Sequence, residues 1–256
     1  MPGPVSIYSD LKTAAVLSGA FAIIAAVAVP FMLEIIPADA QKELPLPVPI
    51  FALILAIQSW VVYGLLGWAG LRLARQRELE PAPLLTFFWT GQWPARIWLR
   101  LGLAFGAGLL CGLALVVFVA VIHRSAPETL PQRLHPPSIR SALIVSAAAS
   151  LGEEILFRLF LLSAFVRMLS QSRSNTILAV LGSAILFGLA HAPAMAFLFG
   201  GLQSVPSLAW MWLILLNGLV GVVCGFSFLK IGFGGAALAH FGTDLIWHVA
   251  SQLGGS

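Results

Sequence analysis

Charge is scarce in this chain. Asp, Glu, Lys and Arg make up 9% of its 256 residues, against about 25% in an ordinary soluble domain. That shortage excludes a soluble globular fold, because 59% of the residues are hydrophobic and too few polar side chains remain to cover a surface. No polar stretch is long enough to fold as a separate domain. Cysteine is nearly absent: Cys111 and Cys224 stand alone in apolar segments, with no Cys-x-x-Cys pair and no disulfide framework. They read as small buried hydrophobes. Internal repeats and low-complexity tails are missing too. The isoelectric point near 9.6 does not signal nucleic acid. The basic residues lie in short loops beside apolar runs, where they set membrane topology. A mean hydropathy of +0.97 completes the picture of an integral membrane protein.

A bilayer-crossing helix needs about 20 apolar residues. On that measure the expected fold is all-α and polytopic, with about seven transmembrane helices. They run from about Lys12 to Ile36, Val48 to Leu73, Leu99 to Ile122, Ser138 to Leu169, Thr176 to Phe199, Leu208 to Leu229 and Phe233 to Leu253. The first is too long for the apolar core of a signal peptide, although Ala38-Asp39-Ala40 mimics a cleavage site. Leu84 to Trp98, rich in Phe and Trp, reads as an interfacial segment. A loop with Pro127, Pro131, Pro136 and Pro137 divides residues 1–137, holding three spans and that segment, from residues 138–256, holding four. Nine of the fourteen Lys and Arg, among them Lys12, Arg75, Arg77, Arg167 and Lys230, fall on the N-terminal side. Four, Lys42, Arg124, Arg133 and Arg140, fall on the other side, and Arg158 lies between. The positive-inside rule then makes the N-terminus cytoplasmic. The short chain and compact loops point to a prokaryotic inner or plasma membrane.

Polar chemistry concentrates after the proline-rich loop. From Ser138 onward the only acidic residues are Glu153, Glu154 and Asp244. Glu153, Glu154 and Arg158 put three charges into one apolar run, each costing at least about 2.5–3.5 kcal/mol at a membrane centre. Positions four apart share a helix face, so Glu154 and Arg158 can pair. Glu153 is turned by about 100° and is free to face a cavity. His191 lies on the next span and is followed by Pro193, a helix breaker at membrane depth. His240 and Asp244 share a face of the last span, and His248, one turn on, reads as an interface residue. Gly218, Gly221 and Gly225 read as a packing face, and Asn217 stands alone. Singly, each of these residues has a structural reading: a helix-bridging histidine or an ion pair. Jointly, a carboxylate pair and two histidines on three spans point to one site in a cavity among the last four helices.

These residues resemble the CAAX proteases and bacteriocin-processing enzymes, also called abortive-infection intramembrane proteases. The family's first motif, Glu-Glu-x-x-x-Arg, is matched by Glu153, Glu154 and Arg158. Its second, Phe-x-x-x-His, is matched by Phe187 and His191, and its third, His-x-x-x-Asn or Asp, by His240 and Asp244. The motifs occur in family order, each on its own expected span, and cover about Ser138 to Leu253.

The resemblance implies hydrolysis of peptide bonds within the membrane, with the lipid bilayer and a membrane peptide or protein as partners. Glu153 would be the general base on a water that His191 helps hold, and His240 with Asp244 would stabilise the oxyanion. Glu154 and Arg158 would orient Glu153 or hold the substrate backbone. The family's prenyl-protein endopeptidases carry Asn where this chain has Asp244, and an aspartate can donate only when protonated. An ionised Asp244 could instead join Glu153, His191 and His240 in a zinc site. No His-Glu-x-x-His decides between a glutamate and a metal mechanism. Two other classes stay in view: a non-catalytic membrane scaffold or immunity protein, and a proton-coupled transporter, since carboxylate–histidine chains also relay protons.

Overall fold

Apolar runs punctuated by Ser, Pro and Gly dictate where this chain is helical. The computed structural model describes residues 7–34, 46–125 and 138–253, and has no strand among them. Helix α1 is Ile7–Leu33 and α2 is Val48–Arg75, with a proline in its first turn and Arg72 and Arg75 in its last. Those arginines suit the negative end of the helix dipole. The short α3, Pro83–Thr90, also starts on proline and ends at Gly91, whose φ of 68° lets its N–H reach the Phe87 carbonyl. Helix α4 is Ile97–Ser125. Ser138 caps α5, Ile139–Glu154, by accepting from the Ser141 N–H. That helix runs on as a π-helix, Ile155–Leu162, and then as α6, Ser163–Met168. Ser172 caps α7, Arg173–Ala190, in the same way. Helix α8 is Ala192–Leu198, α9 is Ser207–Ile231 and α10 is Phe233–Leu253. The proline-rich loop and the Ala38-Asp39-Ala40 stretch lie outside the described residues.

Among the described residues, five helices are long and apolar enough to cross a bilayer: Ile7–Leu33, Val48–Arg75, Ile97–Ile122, Arg173–Leu198 and Ser207–Ile231. The other two expected spans fall short of that measure for a physical reason. Residues 139–168 carry Glu153, Glu154 and Arg158, and α10 carries His240, Thr243 and Asp244. Both are inner helices. No large hydrophobic side chain described on α10 is exposed, and on 139–168 only Ile139, Leu143 and Met168 are. By contrast α2 exposes Leu53, Ile57, Trp60 and Leu65, among others, as a lipid-facing helix should. A helix that faces protein on all sides need not be apolar all round.

Around this centre, α1 packs on α2 and α5, α2 on the π-helix, α4 on α10, α7 on α9, and α10 on α5 and α9. Polar ties pin the basic end. Buried Asp10 of α1 accepts from Arg75 Nε at 2.7 Å, and Trp89 Nε1 of α3 donates to Thr13 Oγ1 at 2.9 Å. The α9–α10 joint is equally constrained. Gly232 has a φ of 87°, and a Cβ there would lie 2.6 Å from Pro83 Cδ. Only glycine fits, and the Phe233 N–H then reaches the Pro81 carbonyl at 2.7 Å. That turn starts α10 in the direction that carries its polar face inward.

Candidate active site

Glu153 and Glu154 end α5 side by side, and the helical twist separates their fates. Glu154 points into the bundle and is fully buried, while the Glu153 side chain is 32% exposed to a cavity. Arg158, one turn on in the π-helix and also fully buried, places Nη1 2.9 Å from Glu154 Oε1. Desolvating each of these charges costs several kcal/mol, which close pairing offsets only when further groups complete the shell. Two residues do so. The Arg158 guanidinium lies 4.4 Å from the centre of the Phe187 ring, a cation–π contact. His240 Nδ1 of α10 lies 2.8 Å from the same Glu154 oxygen. An ionised carboxylate only accepts, so Nδ1 carries the proton and the ring is fixed.

Fixing Nδ1 aims Nε2. It lies 3.8 Å from Glu153 Oε2 and 3.7 Å from Asp244 Oδ2, too far for direct hydrogen bonds and close enough to share a water or a substrate atom. His191 ends α7 with φ −84° and ψ −1°, where Pro193 prevents the helix from continuing unchanged. Its Nδ1 lies 2.9 Å from the Phe187 carbonyl, which also only accepts. Nδ1 therefore carries a proton, and in the neutral ring Nε2 is the nitrogen with the lone pair. Phe187 joins these parts: its ring is 4.9 Å from His191, 5.7 Å from His240 and 5.2 Å from Phe157, each edge-on. Thr243 locks α10 to α4 by donating to the Gly108 carbonyl at 3.1 Å.

A cavity of about 300 Å³ adjoins these groups. Glu153, His191, His240 and Asp244 line it together with apolar residues such as Val145, Ala149, Leu115 and Leu216. From α5 the wall uses residues before Glu153, from α9 the first half, and from α10 His240 onward to His248. The cavity thus runs from the carboxylates toward the end of the bundle where α5 and α9 begin, away from Lys230 and Arg167.

All six residues singled out in the sequence converge. Glu153, Glu154, Arg158, His240 and Asp244 are linked by direct distances, and His191 joins through Phe187 and the cavity wall. Three features differ from expectation. Glu154 holds His240 rather than Glu153. His248 lines the cavity instead of marking an interface. Helix α4, from before the proline-rich loop, supplies Leu115 and Val119 to the wall. Sequence reasoning also passed over Phe187 as a hub and Asn217 as a lining residue.

Ligand atoms of Glu154, Cys224 and His240 lie within 4.8 Å of one another. That buried group does not suit a cation, because Glu154 Oε1 is already shared by Arg158 and the His240 Nδ1–H. On the cavity side no tighter set forms: among the described residues, Glu154, Cys224 and His240 are the group that brings ligand atoms within 4.8 Å of one another. Metal-binding histidines usually donate their second nitrogen to a carboxylate or a carbonyl. His240 and His191 are held in this manner, and both line the cavity with Glu153 and Asp244.

Comparison with known proteins agrees with the motifs. Residues 135–246 match the family model Rce1-like, described as Type II CAAX prenyl endopeptidase Rce1-like. The matched segment contains all three motifs and agrees with the resemblance read from them over that part of the chain. No curated protein and no solved structure matches the chain.

Proposed function

We propose that the family match carries its chemistry to this chain: it is an intramembrane endopeptidase that cleaves a membrane-embedded or membrane-associated peptide, with Glu153 as general base. One observation carries the reading. Glu153, the exposed member of the carboxylate pair, faces a cavity with its Oε2 3.8 Å from a histidine Nε2 whose other nitrogen is fixed.

The steps follow from the atoms. The His191 Nε2 lone pair accepts from a water, while Glu153 takes that water's proton. The water oxygen bonds to the substrate carbonyl carbon as the C=O pair moves onto oxygen. His240, as imidazolium, donates from Nε2 to this oxyanion; one such donor is typically worth about 2.7–4 kcal/mol. Asp244 flanks Nε2 and steadies the positive ring. Glu153 returns the proton to the amide nitrogen, the C–N bond breaks, and a carboxylic acid and an amine leave. Glu154 and Arg158 touch no reactant in this scheme: they hold His240. A divalent cation such as zinc, held by Glu153, His191, His240 and Asp244, would supply Lewis-acid polarisation and a more acidic water.

The test is cleavage of a quenched fluorescent peptide library by detergent-purified protein. Wild type, Glu153→Ala and His191→Ala are compared, each with and without a chelator. Cleavage by wild type alone supports the reading, and its response to chelation reports whether a cation takes part. Cleavage surviving Glu153→Ala removes Glu153 as the base.

A further inference from the structure

Peptide carbonyls need donors, yet the catalytic wall is built of carboxylates and imidazoles. Uncommitted N–H groups stand on α9. Asn217 lines the cavity and gives one amide hydrogen to the Leu213 carbonyl at 2.9 Å, leaving the second free. Trp212 lines the cavity as well, and its buried Nε1–H has no hydrogen-bond partner. An unpaired donor is costly in so apolar a setting, which makes it a place for a ligand acceptor. Both residues belong to the inner face of α9, with buried Leu213 and Val220, while Leu215 and Leu219 face outward.

The spacing has a counterpart in peptide geometry. Five residues of α-helix span about 7.5 Å. Carbonyls on one side of an extended chain repeat every two residues, about 6.7 Å. Trp212 and Asn217 also stand about 140° apart around the axis, at the two edges of the lining stripe, so a peptide crossing that stripe obliquely can present same-side carbonyls to the two donors. Leu213 and Leu216 then meet its apolar side chains, and the third face of the cavity holds Glu153 and His240.

We propose that Asn217 and Trp212 form a shelf that binds the backbone of an extended apolar peptide through two of its carbonyls, and so set the register of the scissile bond. This rests on the endopeptidase reading above and adds the contacts that choose which bond is cut.

The experiment uses the full chain in lipid nanodiscs with Glu153→Gln, so that binding is read without turnover. Two probes are titrated: an N-dansylated hexapeptide amide of Ala, Leu and Val, and a dansylated alkylamine of similar length with no carbonyls. Asn217→Ala and Trp212→Phe should each weaken peptide binding about tenfold, the share of one ordinary hydrogen bond. The alkylamine should bind all variants equally, which also shows that the cavity is intact. Unchanged peptide binding in both variants overturns the shelf, as does an equal loss for both probes. Library cleavage by wild type is measured in parallel. Cleavage with unchanged variant binding sinks the shelf alone. Selective loss of peptide binding without cleavage supports the shelf and sinks the protease. No cleavage and no peptide binding by the parent sinks both.

Discussion

His240 Nδ1 and Glu154 Oε1, 86 positions apart in the chain, lie 2.8 Å apart in the fold. That bond ties α10 to α5 and decides which histidine nitrogen faces the cavity. Because the same oxygen also meets Arg158 Nη1 at 2.9 Å, three helical segments meet at one oxygen atom. Stability and chemistry are joined there.

Removing one partner leaves a buried charge uncompensated. Arg158→Met should destabilise the protein by about 3–5 kcal/mol, read as thermal unfolding in detergent. Glu154→Gln should cost a similar amount. The double variant should be more stable than the sum of the two losses predicts; simple additivity would show that the pair does not interact.

Glu153→Gln should behave in the opposite manner. The side chain faces the cavity and makes no close ion pair, so the melting temperature should stay near that of the parent. Peptide cleavage should fall by a factor of about 10²–10⁴, the usual share of a general base. A large drop in melting temperature would assign Glu153 to the scaffold.

Phe187 is the test of positioning. Its ring touches both histidines and the Arg158 guanidinium. Phe187→Leu keeps the position apolar and removes the ring. Cleavage should fall tenfold or more through kcat, because misplacing a catalytic group by about 1 Å can cost 10²-fold. Phe187→Tyr should retain more activity than Phe187→Leu if ring contacts matter.

Two glycines on α4 should respond in opposite directions. A Cβ at Gly112 would lie 2.6 Å from the Thr243 carbonyl oxygen and 2.8 Å from Ile246 Cβ, so Gly112→Ala should push α10 away. The expected cost is about 1–3 kcal/mol, with lowered activity because His240 and Asp244 move with α10. Gly106 has nothing within 4 Å of such a Cβ, and Gly106→Ala should be neutral or stabilising by up to about 1 kcal/mol.

Much of this site was legible in sequence because ionisable groups are conspicuous in apolar spans. Glu153, Glu154, Arg158, His191, His240 and Asp244 needed only that contrast and helical spacing. What was not legible depended on rotation and on neighbours. Helical spacing already told the two carboxylates apart; only the packing of α10 against α5 shows that Glu154 also holds His240. The tautomer of His191 depends on the Phe187 carbonyl, a backbone atom with no sequence signature. Asn217 and Trp212 looked unremarkable because a single amide or indole in an apolar helix is consistent with packing. The inner position of α10 was hidden too: its length met the bilayer ruler, while its polar face meets protein.

The π-helix at Ile155–Leu162 has one more consequence. Its wider turns take more residues per unit rise than an α-helix, and Ser183 Oγ satisfies the Phe157 carbonyl at 2.9 Å within it. The helix therefore stores spare chain between two jobs. Glu153 and Glu154 lie upstream and Arg158 in its first turn; downstream, Arg167 Nε reaches Gln76 Oε1 at 2.7 Å, and the Arg167 carbonyl accepts from Arg77 Nη2 at 2.7 Å. Deleting one residue between Leu159 and Leu162 would draw on that spare chain, letting the segment tighten toward an α-helix while the three charges stay in register. Length along this helix is thus a variable that lineage or design can adjust at one end without rewriting the other.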